Sequence, residues 1–146
     1  MPKRVIRDIV ADQKLISATK DMTVRAACRL MAEKKIGAML VVESGRIAGI
    51  FTERDALNKV LAASLDPDTT VLSRVMVTEP QTIRGDKPLA YALHMMAEGG
   101  FRHVPVVDDS GAPIGMVSAR DALGQDIVEL ERDMKRLEEL EGSIGY

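Results

Sequence analysis

Two stretches of the sequence share one pattern: Gly49-Ile50-Phe51-Thr52-Glu53-Arg54-Asp55 and Gly115-Met116-Val117-Ser118-Ala119-Arg120-Asp121. In both, a glycine and two apolar residues precede a hydroxyl residue, and an aspartate follows three positions later. A hydroxyl residue with an acid at the third position forms a capping box at the start of a helix. A cap needs neither the glycine nor the arginine, so the pattern predicts a cap combined with a ligand site. The glycine allows something to approach the strand backbone closely.

The repeat extends well beyond these two stretches. Met31-Ala32-Glu33 recurs as Met96-Ala97-Glu98, and Arg54-Asp55-Ala56-Leu57 recurs as Arg120-Asp121-Ala122-Leu123. The matches keep their order and need a single inserted residue, which falls in a glycine-bearing turn. The chain is therefore predicted to be a duplicated unit.

Each copy is predicted to read strand, helix, strand, strand, helix. The first strands are expected near 14–18 and 80–84, the helices over 23–34 and 88–99, and the apolar strand pairs over 38–42 with 47–51 and 104–107 with 113–117. A short helix is expected before Lys14, and a second helix in each copy after Thr52 and Ser118. A single helical turn over 70–76 is expected to close the edge of the second unit.

These strands are apolar on both faces, so neither face should be exposed to solvent. We expect both faces of each sheet to be covered by other parts of the protein. The chain has only two Phe and two Tyr, and a unit of about 60 residues with so little aromatic bulk would be marginal alone. We therefore expect the two units to pack sheet against sheet, with the cleft between them as the ligand site.

The amino-acid composition argues against several classes of function. A net charge of −2 over 146 residues gives no basic field for nucleic acid or an anionic membrane. One cysteine, Cys28, and two histidines exclude an intrachain disulfide and argue against a structural zinc site. No apolar run suggests a membrane span or signal peptide, so a cytoplasmic protein is expected.

The last helix carries an apolar stripe, Ile127, Leu130, Met134 and Leu137, at the alternating spacing of a coiled coil. Such a stripe predicts either pairing with a second subunit, and hence a homodimer, or docking on the helix's own chain. The sequence leaves both possibilities open.

The duplicated unit and its Gly-x-x-Thr/Ser-x-x-Asp motifs resemble a pair of cystathionine-beta-synthase (CBS) domains, also called a Bateman module. The segment 96–108 resembles the signature of a second CBS repeat. The resemblance implies an α/β (α+β) fold of two units related by pseudo-two-fold symmetry, each a small three-stranded sheet with two helices. It places CBS domain 1 at 5–63, a linker at 64–70, CBS domain 2 at 71–123 and a C-terminal helical extension at 124–142.

In this family the motif aspartate usually binds ribose, the motif Thr or Ser binds ribose or phosphate, and strand backbone holds adenine. The resemblance implies that the first site uses Ile16, Ser17, Gly37, Ala38, Met39, Thr52, Arg54 and Asp55. The second would use Thr82, Ile83, Arg102, His103, Val104, Pro105, Ser118, Arg120 and Asp121. Arg102-His103 resembles a phosphate-contacting pair, whereas the first site has Gly37-Ala38 there, so the second should bind phosphate better. Alternatively, Arg102 is a surface residue and His103 an ordinary hydrogen-bonded histidine.

The resemblance implies a regulatory sensor of AMP, ADP, ATP or NAD(H), with no catalytic residue, metal or catalytic cofactor and an unidentified downstream protein partner. The arginines favour a phosphate over the sulfonium of S-adenosylmethionine. Two alternatives stand beside this reading. One is a structural dimerisation module with empty clefts. The other is a fragment related to IMP dehydrogenase, although Cys28 lies mid-helix and no phosphate loop with Lys-Ser/Thr is present.

Overall fold

The computed structural model describes residues 4–142, with the side chains of all of them except 122, 123 and 125–129. The first half contains α1 (Ile6–Val10), β1 (Ser17–Ala18), α2 (Val24–Lys34), β2 (Ala38–Glu43), β3 (Arg46–Thr52) and α3 (Glu53–Asp55), which continues as a π-helix over Ala56–Leu61. The second half contains α4 (Leu72–Val75), β4 (Val77–Thr78), β5 (Ile83–Arg84), α5 (Leu89–Gly99), β6 (His103–Val107), β7 (Pro113–Ser118) and α6 (Ala119–Leu140).

The strands form two sheets of the same design. In the order β1-β2-β3-β4 and β5-β6-β7, each sheet begins with a parallel pair and continues with an antiparallel hairpin. The register shifts at Val41/Val42 in one hairpin and at Val106/Val107 in the other, so the irregularity itself is duplicated. The predicted fold of two α/β units is confirmed. Strand β4 was not predicted, because two residues carry no detectable pattern.

Each of the two short helices, α1 and α4, packs on the unit formed by the other half of the chain. Helix α1 precedes the first unit in sequence but buries Ile6 and Val10 in the core of the second, beside Leu89 and Val104. Helix α4 precedes the second unit and buries Leu72 and Val75 in the core of the first. The prediction that this turn closes the edge of the second unit is therefore wrong, because its apolar side chains pack on the other unit. Helices of four and five residues are too short to persist alone. Each is therefore held by the unit on which it packs.

Matching backbone hydrogen bonds fix this exchange. Val24 N donates to Thr70 O at 2.9 Å, and Leu89 N donates to Arg4 O at 2.8 Å. In each case the first residue of a unit's main helix binds the segment that comes from the other half of the chain. The two units are consequently one cooperative body and not two independent domains joined only by a linker.

The sheets are covered on both faces, as the apolar strands predicted. Met39, Val41 and Phe51 point into the first unit's core under its helices. Their neighbours Leu40 and Ile50 point the opposite way, as alternation along a strand requires, and pack in a separate cluster that Met116 of the second unit joins. This cluster lies between the units.

Helix α6 is the longest element, and it continues past the second unit. Leu130, Met134 and Leu137 are 60%, 60% and 56% exposed. The side chain of Ile127, predicted to share their stripe, lies outside the described ones. In the part of the chain that the structure describes, no helix is both long and apolar enough to cross a membrane.

At each motif glycine, a neighbouring segment of the chain lies too close to the backbone for a side chain to fit. A Cβ on Gly49 would lie 2.6 Å from Met76 Sδ and 2.8 Å from the carbonyl oxygen of Val77. A Cβ on Gly115 would lie 2.6 Å from Val10 Cβ. In each unit, the segment that approaches this closely comes from the exchanged region, next to α4 or α1. The glycines thus serve the fold, and they need no ligand to explain them.

We predict that Gly49→Ala destabilises the protein by about 1–3 kcal/mol, because the added methyl group overpacks a contact made partly by backbone. The free energy of unfolding in urea measures this. Gly124→Ala is the control, since it lies in α6 and none of the atoms that the structure describes lies within 4 Å of its added Cβ. It should be neutral or stabilising by up to about 1 kcal/mol. A Gly49→Ala protein as stable as the parent would contradict the close approach at this strand.

Candidate functional site

Thr52 and Asp55 form the predicted capping box at the start of α3. Asp55 Oδ2 accepts hydrogen bonds from Thr52 N at 3.0 Å and Thr52 Oγ1 at 3.1 Å, and Asp55 N donates back to Thr52 Oγ1 at 3.2 Å. Asp55 is 8% exposed. The carboxylate is therefore held in one orientation where β3 becomes a helix.

Ser118 and Asp121 repeat this geometry at the start of α6. Asp121 Oδ2 accepts from Ser118 N at 2.8 Å and from Ser118 Oγ at 3.1 Å, and Asp121 N donates to Ser118 Oγ at 3.3 Å. Asp121 is half-buried. The two halves thus present two carboxylates, each fixed through one oxygen with the other oxygen left over.

The remaining oxygens differ between the halves. Asp55 Oδ1 lies 3.2 Å from Lys59 Nζ, which also donates to the carbonyl oxygen of Val75 at 3.1 Å. Among the side chains that the structure describes, none binds Asp121 Oδ1. A ligand hydroxyl at Asp55 would have to share that carboxylate with Lys59, whereas Asp121 is the more accessible acceptor.

The strand that follows each main helix begins beside its capping box. Glu53 N donates to Gly37 O at 3.0 Å, and Ala119 N donates to Arg102 O at 2.9 Å. In register, Ala38 lies opposite Thr52 and His103 lies opposite Ser118. The structure therefore brings Gly37 and Ala38 beside the first capping box, and Arg102 and His103 beside the second.

The other predicted residues differ in what they can offer a ligand. Met39, Val104 and Pro105 are fully buried, so only their backbone could serve. On the first strands, Ser17 and Thr82 are exposed, Ile16 is half-buried and Ile83 is buried. Ser17 and Ile83 pair in parallel with Leu40 and Val106, which places both first strands alongside the strands that hold the site.

The arginines of the two sites also differ, in whether they are already bound by other groups of the protein. Arg54 Nη1 donates to the carbonyl oxygen of Gly100 at 3.2 Å, at the C-terminal end of α5 in the other unit. A cation there is favoured by the helix dipole. Arg102 and Arg120 are exposed near the second capping box. Positive charge is therefore freer at the second site than at the first.

His103 lies between the two units. Its Cε1 is 3.5 Å from the point where a Cβ of Gly37 would lie, and Glu53 Oε1 is 3.2 Å from the same point. Burial lowers the pKa of His103 below its ordinary value, opposed by the negative charges of Glu53 and Asp121 and assisted by Arg102. The imidazole is thus mainly neutral near pH 7.

Two residues near the first site were not predicted, Glu53 and Lys59. Lys59 could have been found, because it stands four residues after Asp55, the spacing of an ion pair on a helix. Glu53 occupies a spacer position of the motif. Its neighbour His103 comes from the other unit, and no local pattern indicates that contact.

The cavities are separate from the two carboxylates. The larger one, of about 560 Å³, is lined by Arg7, Arg84 and Ser110 among others, at the opposite end of β6 from His103. The smaller one, of about 200 Å³, brings Thr82 beside Arg46 of the first unit. We place the candidate site at the capping boxes, because the fixed carboxylates lie there, and not in the larger of these two cavities.

Comparison with known proteins agrees with the duplicated fold. The CBS domain family model matches residues 6–62 and 72–126. The meiotically up-regulated gene 70 protein of Schizosaccharomyces pombe is 42% identical over 96 residues, which are 66% of this chain and 13% of that protein. The CBS domain-containing protein CBSCBSPB1 of Arabidopsis thaliana is 34% identical over 106 residues, 73% of this chain and 20% of that protein. The chain thus spans a small part of these curated relatives.

Solved structures match over most of the chain. A protein with CBS domains from Burkholderia ambifaria MC40-6 superposes with a TM-score of 0.79 at 32% identity, covering 85% of this chain and 94% of that one. The CBS domain protein PAE2072 from Pyrobaculum aerophilum, solved with AMP, gives 0.78 at 23% identity over 87% and 96%. The CBS domain pair of MJ0100, solved with 5′-methylthioadenosine and S-adenosyl-L-methionine, gives 0.73 at 24% identity over 83% and 94%.

These matches cover both halves of the chain, and the structure shows the two halves to be one unit repeated. The strand-helix junctions of both units also carry the same capping box. The chain therefore belongs to the CBS-domain family, as a tandem pair of CBS domains.

Proposed function

We propose that this CBS pair is a regulatory module that binds an adenine nucleotide, AMP, ADP, ATP or NAD(H), between its units. The observation that carries the proposal is the pair of fixed carboxylates, Asp55 and Asp121, each held by a backbone N–H and a hydroxyl at a strand-helix junction. A carboxylate oriented in this way can accept hydrogen bonds from both hydroxyls of a ribose without reorganising.

The second site is the better phosphate site in this proposal. Arg102 and Arg120 are exposed beside Asp121, and guanidinium groups bind phosphate through charge-assisted, often bidentate hydrogen bonds. At the first site the position of Arg102 is taken by Gly37, and Arg54 is engaged by Gly100. A phosphorylated adenosine would therefore occupy the second site first.

The role we propose is regulatory, with no catalysis of its own. Two structural neighbours were solved with adenosine derivatives, AMP in one and 5′-methylthioadenosine with S-adenosyl-L-methionine in the other. In this chain Asp121 lies in the first turn of the 22-residue helix α6. A ligand that binds Asp121 would act on the first turn of that helix. The helix could then transmit ligand binding to a downstream protein. Such a sensor would act in the cytoplasm.

A homodimer is part of the same proposal. Leu130, Met134 and Leu137 are more than half exposed, so the described chain leaves this part of the predicted stripe uncovered. In a heptad with Leu130 and Leu137 at d, Glu131 and Glu138 take e positions and Asp133 takes a g position. Two such helices would face each other with like charges in either direction. We therefore propose that α6 packs against the partner's body.

An alternative is a structural dimerisation module whose clefts stay empty, and the exposed stripe on α6 is the observation that favours it. The two functions separate on ligand binding alone. Both predict a dimer, and only the first predicts that adenine nucleotides bind at Asp121.

We predict that Asp121→Ala weakens adenine-nucleotide binding by about 2–3 kcal/mol, roughly 30- to 150-fold, because a ribose loses its charged acceptor. The fold should survive, since loss of a helix cap costs about 1 kcal/mol. Calorimetric titration with AMP, ADP, ATP, NAD and NADH measures the change. Asp55→Ala is the matched variant in the first cleft. Unchanged affinity in folded Asp121→Ala would remove this residue from the site, and a parent protein that binds none of the five would favour the structural module.

We predict that Arg120→Ala weakens AMP binding at least tenfold but changes adenosine binding less than threefold, because the lost hydrogen bonds are made to phosphate. Arg102→Ala should behave in the same way. Titrations of each variant with AMP and with adenosine give the two ratios, and Arg74→Ala, which changes an exposed arginine elsewhere, is the control. Equal weakening of both ligands would make the arginine structural.

We predict that replacing Leu130 and Leu137 together by serine shifts the protein from dimer to monomer at low micromolar concentration, because the stripe loses its apolar area. Light scattering measures the mass. Arg132→Ser with Glu139→Ser, on the opposite side of the heptad, is the control and should stay dimeric. A chain ending at Leu123 should behave like the leucine variant. If it remains fully dimeric, other helices hold the subunits together.

A further inference from the structure

The two clefts carry opposite charges at one equivalent point. The backbones match there, since Glu53 N binds Gly37 O as Ala119 N binds Arg102 O, at 3.0 and 2.9 Å. The side chains do not match. The second unit has a guanidinium and a methyl group, whereas the first has no side chain at Gly37 and a carboxylate at Glu53. The difference between the clefts is therefore one of charge and not of backbone shape.

The Glu53 carboxylate lies in close contact with the position that a side chain of Gly37 would take. Glu53 Oε1 and Cδ lie 3.2 and 3.4 Å from the point where a Cβ of Gly37 would lie. In the second cleft, the side chain of Arg102 begins at the equivalent point. A ligand held on Asp55 as another is held on Asp121 would present its 5′ group to Glu53, in place of a cation.

The cations on the helix of Glu53 are engaged by other groups. His103 lies beside it, but burial lowers the pKa of that imidazole, so it is mainly neutral near pH 7. Of the cations on the same helix, Arg54 donates to Gly100 O, and Lys59 binds Asp55 and Val75 O. Among the described side chains, no salt bridge is made to Glu53. Glu53 is exposed, so an anion placed next to it would meet like charge that solvent screens only in part.

We infer that Glu53 is a specificity-determining residue of the first cleft, which excludes phosphorylated adenosines there and admits adenosine derivatives whose 5′ substituent is neutral or cationic. This inference rests on the proposed function, because it assumes that ribose binds at Asp55. The CBS pair would then hold two different adenosine ligands, a phosphorylated one at Arg102 and an uncharged or cationic one at Glu53. Such a module would bind two ligand classes, one at each site.

The test compares AMP with 5′-methylthioadenosine, which carries the same nucleoside and a neutral thioether. In an Asp121→Ala protein, where the first cleft is the remaining site, the thioether should bind at least tenfold more tightly than AMP by calorimetry at low ionic strength. Adding Glu53→Gln should tighten AMP binding about tenfold, because removal of one like charge near the phosphate is worth about that much in a partly screened cleft. Thioether binding should change less than twofold.

A mirror variant tests the same charge in the other cleft. In an Asp55→Ala protein, Ala119→Glu should weaken AMP binding about tenfold relative to Ala119→Gln, with thioether binding again nearly unchanged. Glutamine has nearly the same shape as glutamate, so any effect of the larger side chain on packing is the same in both variants. The difference in AMP affinity between them therefore reports the charge.

The outcomes separate the inference from the proposed function. If Asp121→Ala and Asp121→Ala with Glu53→Gln give the same ratio of AMP to thioether affinity, Glu53 does not select and the inference is overturned alone. Loss of all binding in Asp121→Ala also overturns it alone, since the first cleft then takes no adenosine ligand. A parent protein that binds neither ligand overturns both the inference and the proposed function.

Discussion

Helix α1 buries Ile6 and Val10 in the second unit, and helix α4 buries Leu72 and Val75 in the first. The rest of the structure depends on this exchange. Each unit borrows the element that completes its core from the half of the chain that it does not belong to. Because a 60-residue domain buries a smaller fraction of its surface than a larger one, the shared core is what makes two such units stable. The backbone hydrogen bonds of the exchanged segments also tie one unit to the other.

The exchange explains a feature of the sequence that otherwise points to a ligand. The motif glycines, Gly49 and Gly115, stand where Met76, Val77 and Val10 come closest to the strand backbone. These neighbours flank or belong to the exchanged segments. Gln13 continues this contact, since its side-chain amide binds both the N–H and the carbonyl oxygen of Met116, at 3.0 and 2.9 Å. The glycines of this motif are therefore explained only once the packing is known.

The capping boxes have two roles that use different atoms. Oδ2 of each aspartate closes the first helical turn, which leaves Oδ1 for other partners. In the first unit that partner is Lys59, and in the second the described side chains supply none. Duplication has thus kept the backbone and the cap in both halves while the charges around them diverged. The same divergence appears at Gly37 and Arg102, and at Glu53 and Ala119, so the asymmetry extends over each cleft and is not confined to one residue.

The sequence by itself determined the duplication, the order of strands and helices, both capping boxes and the family. These depend on patterns local to a few residues, such as the Thr52-to-Asp55 spacing and the alternation along β2 and β3. Only the tertiary structure decided that α1 packs on the second unit, that Arg54 reaches Gly100, and that Glu53 lies beside His103. Each of these contacts joins the two units, and neither periodicity nor spacing carries information about which distant segment will lie across a cleft. The charge around His103 is a property of the assembled pair, since Glu53 of one unit and Arg102 and Asp121 of the other all act on it.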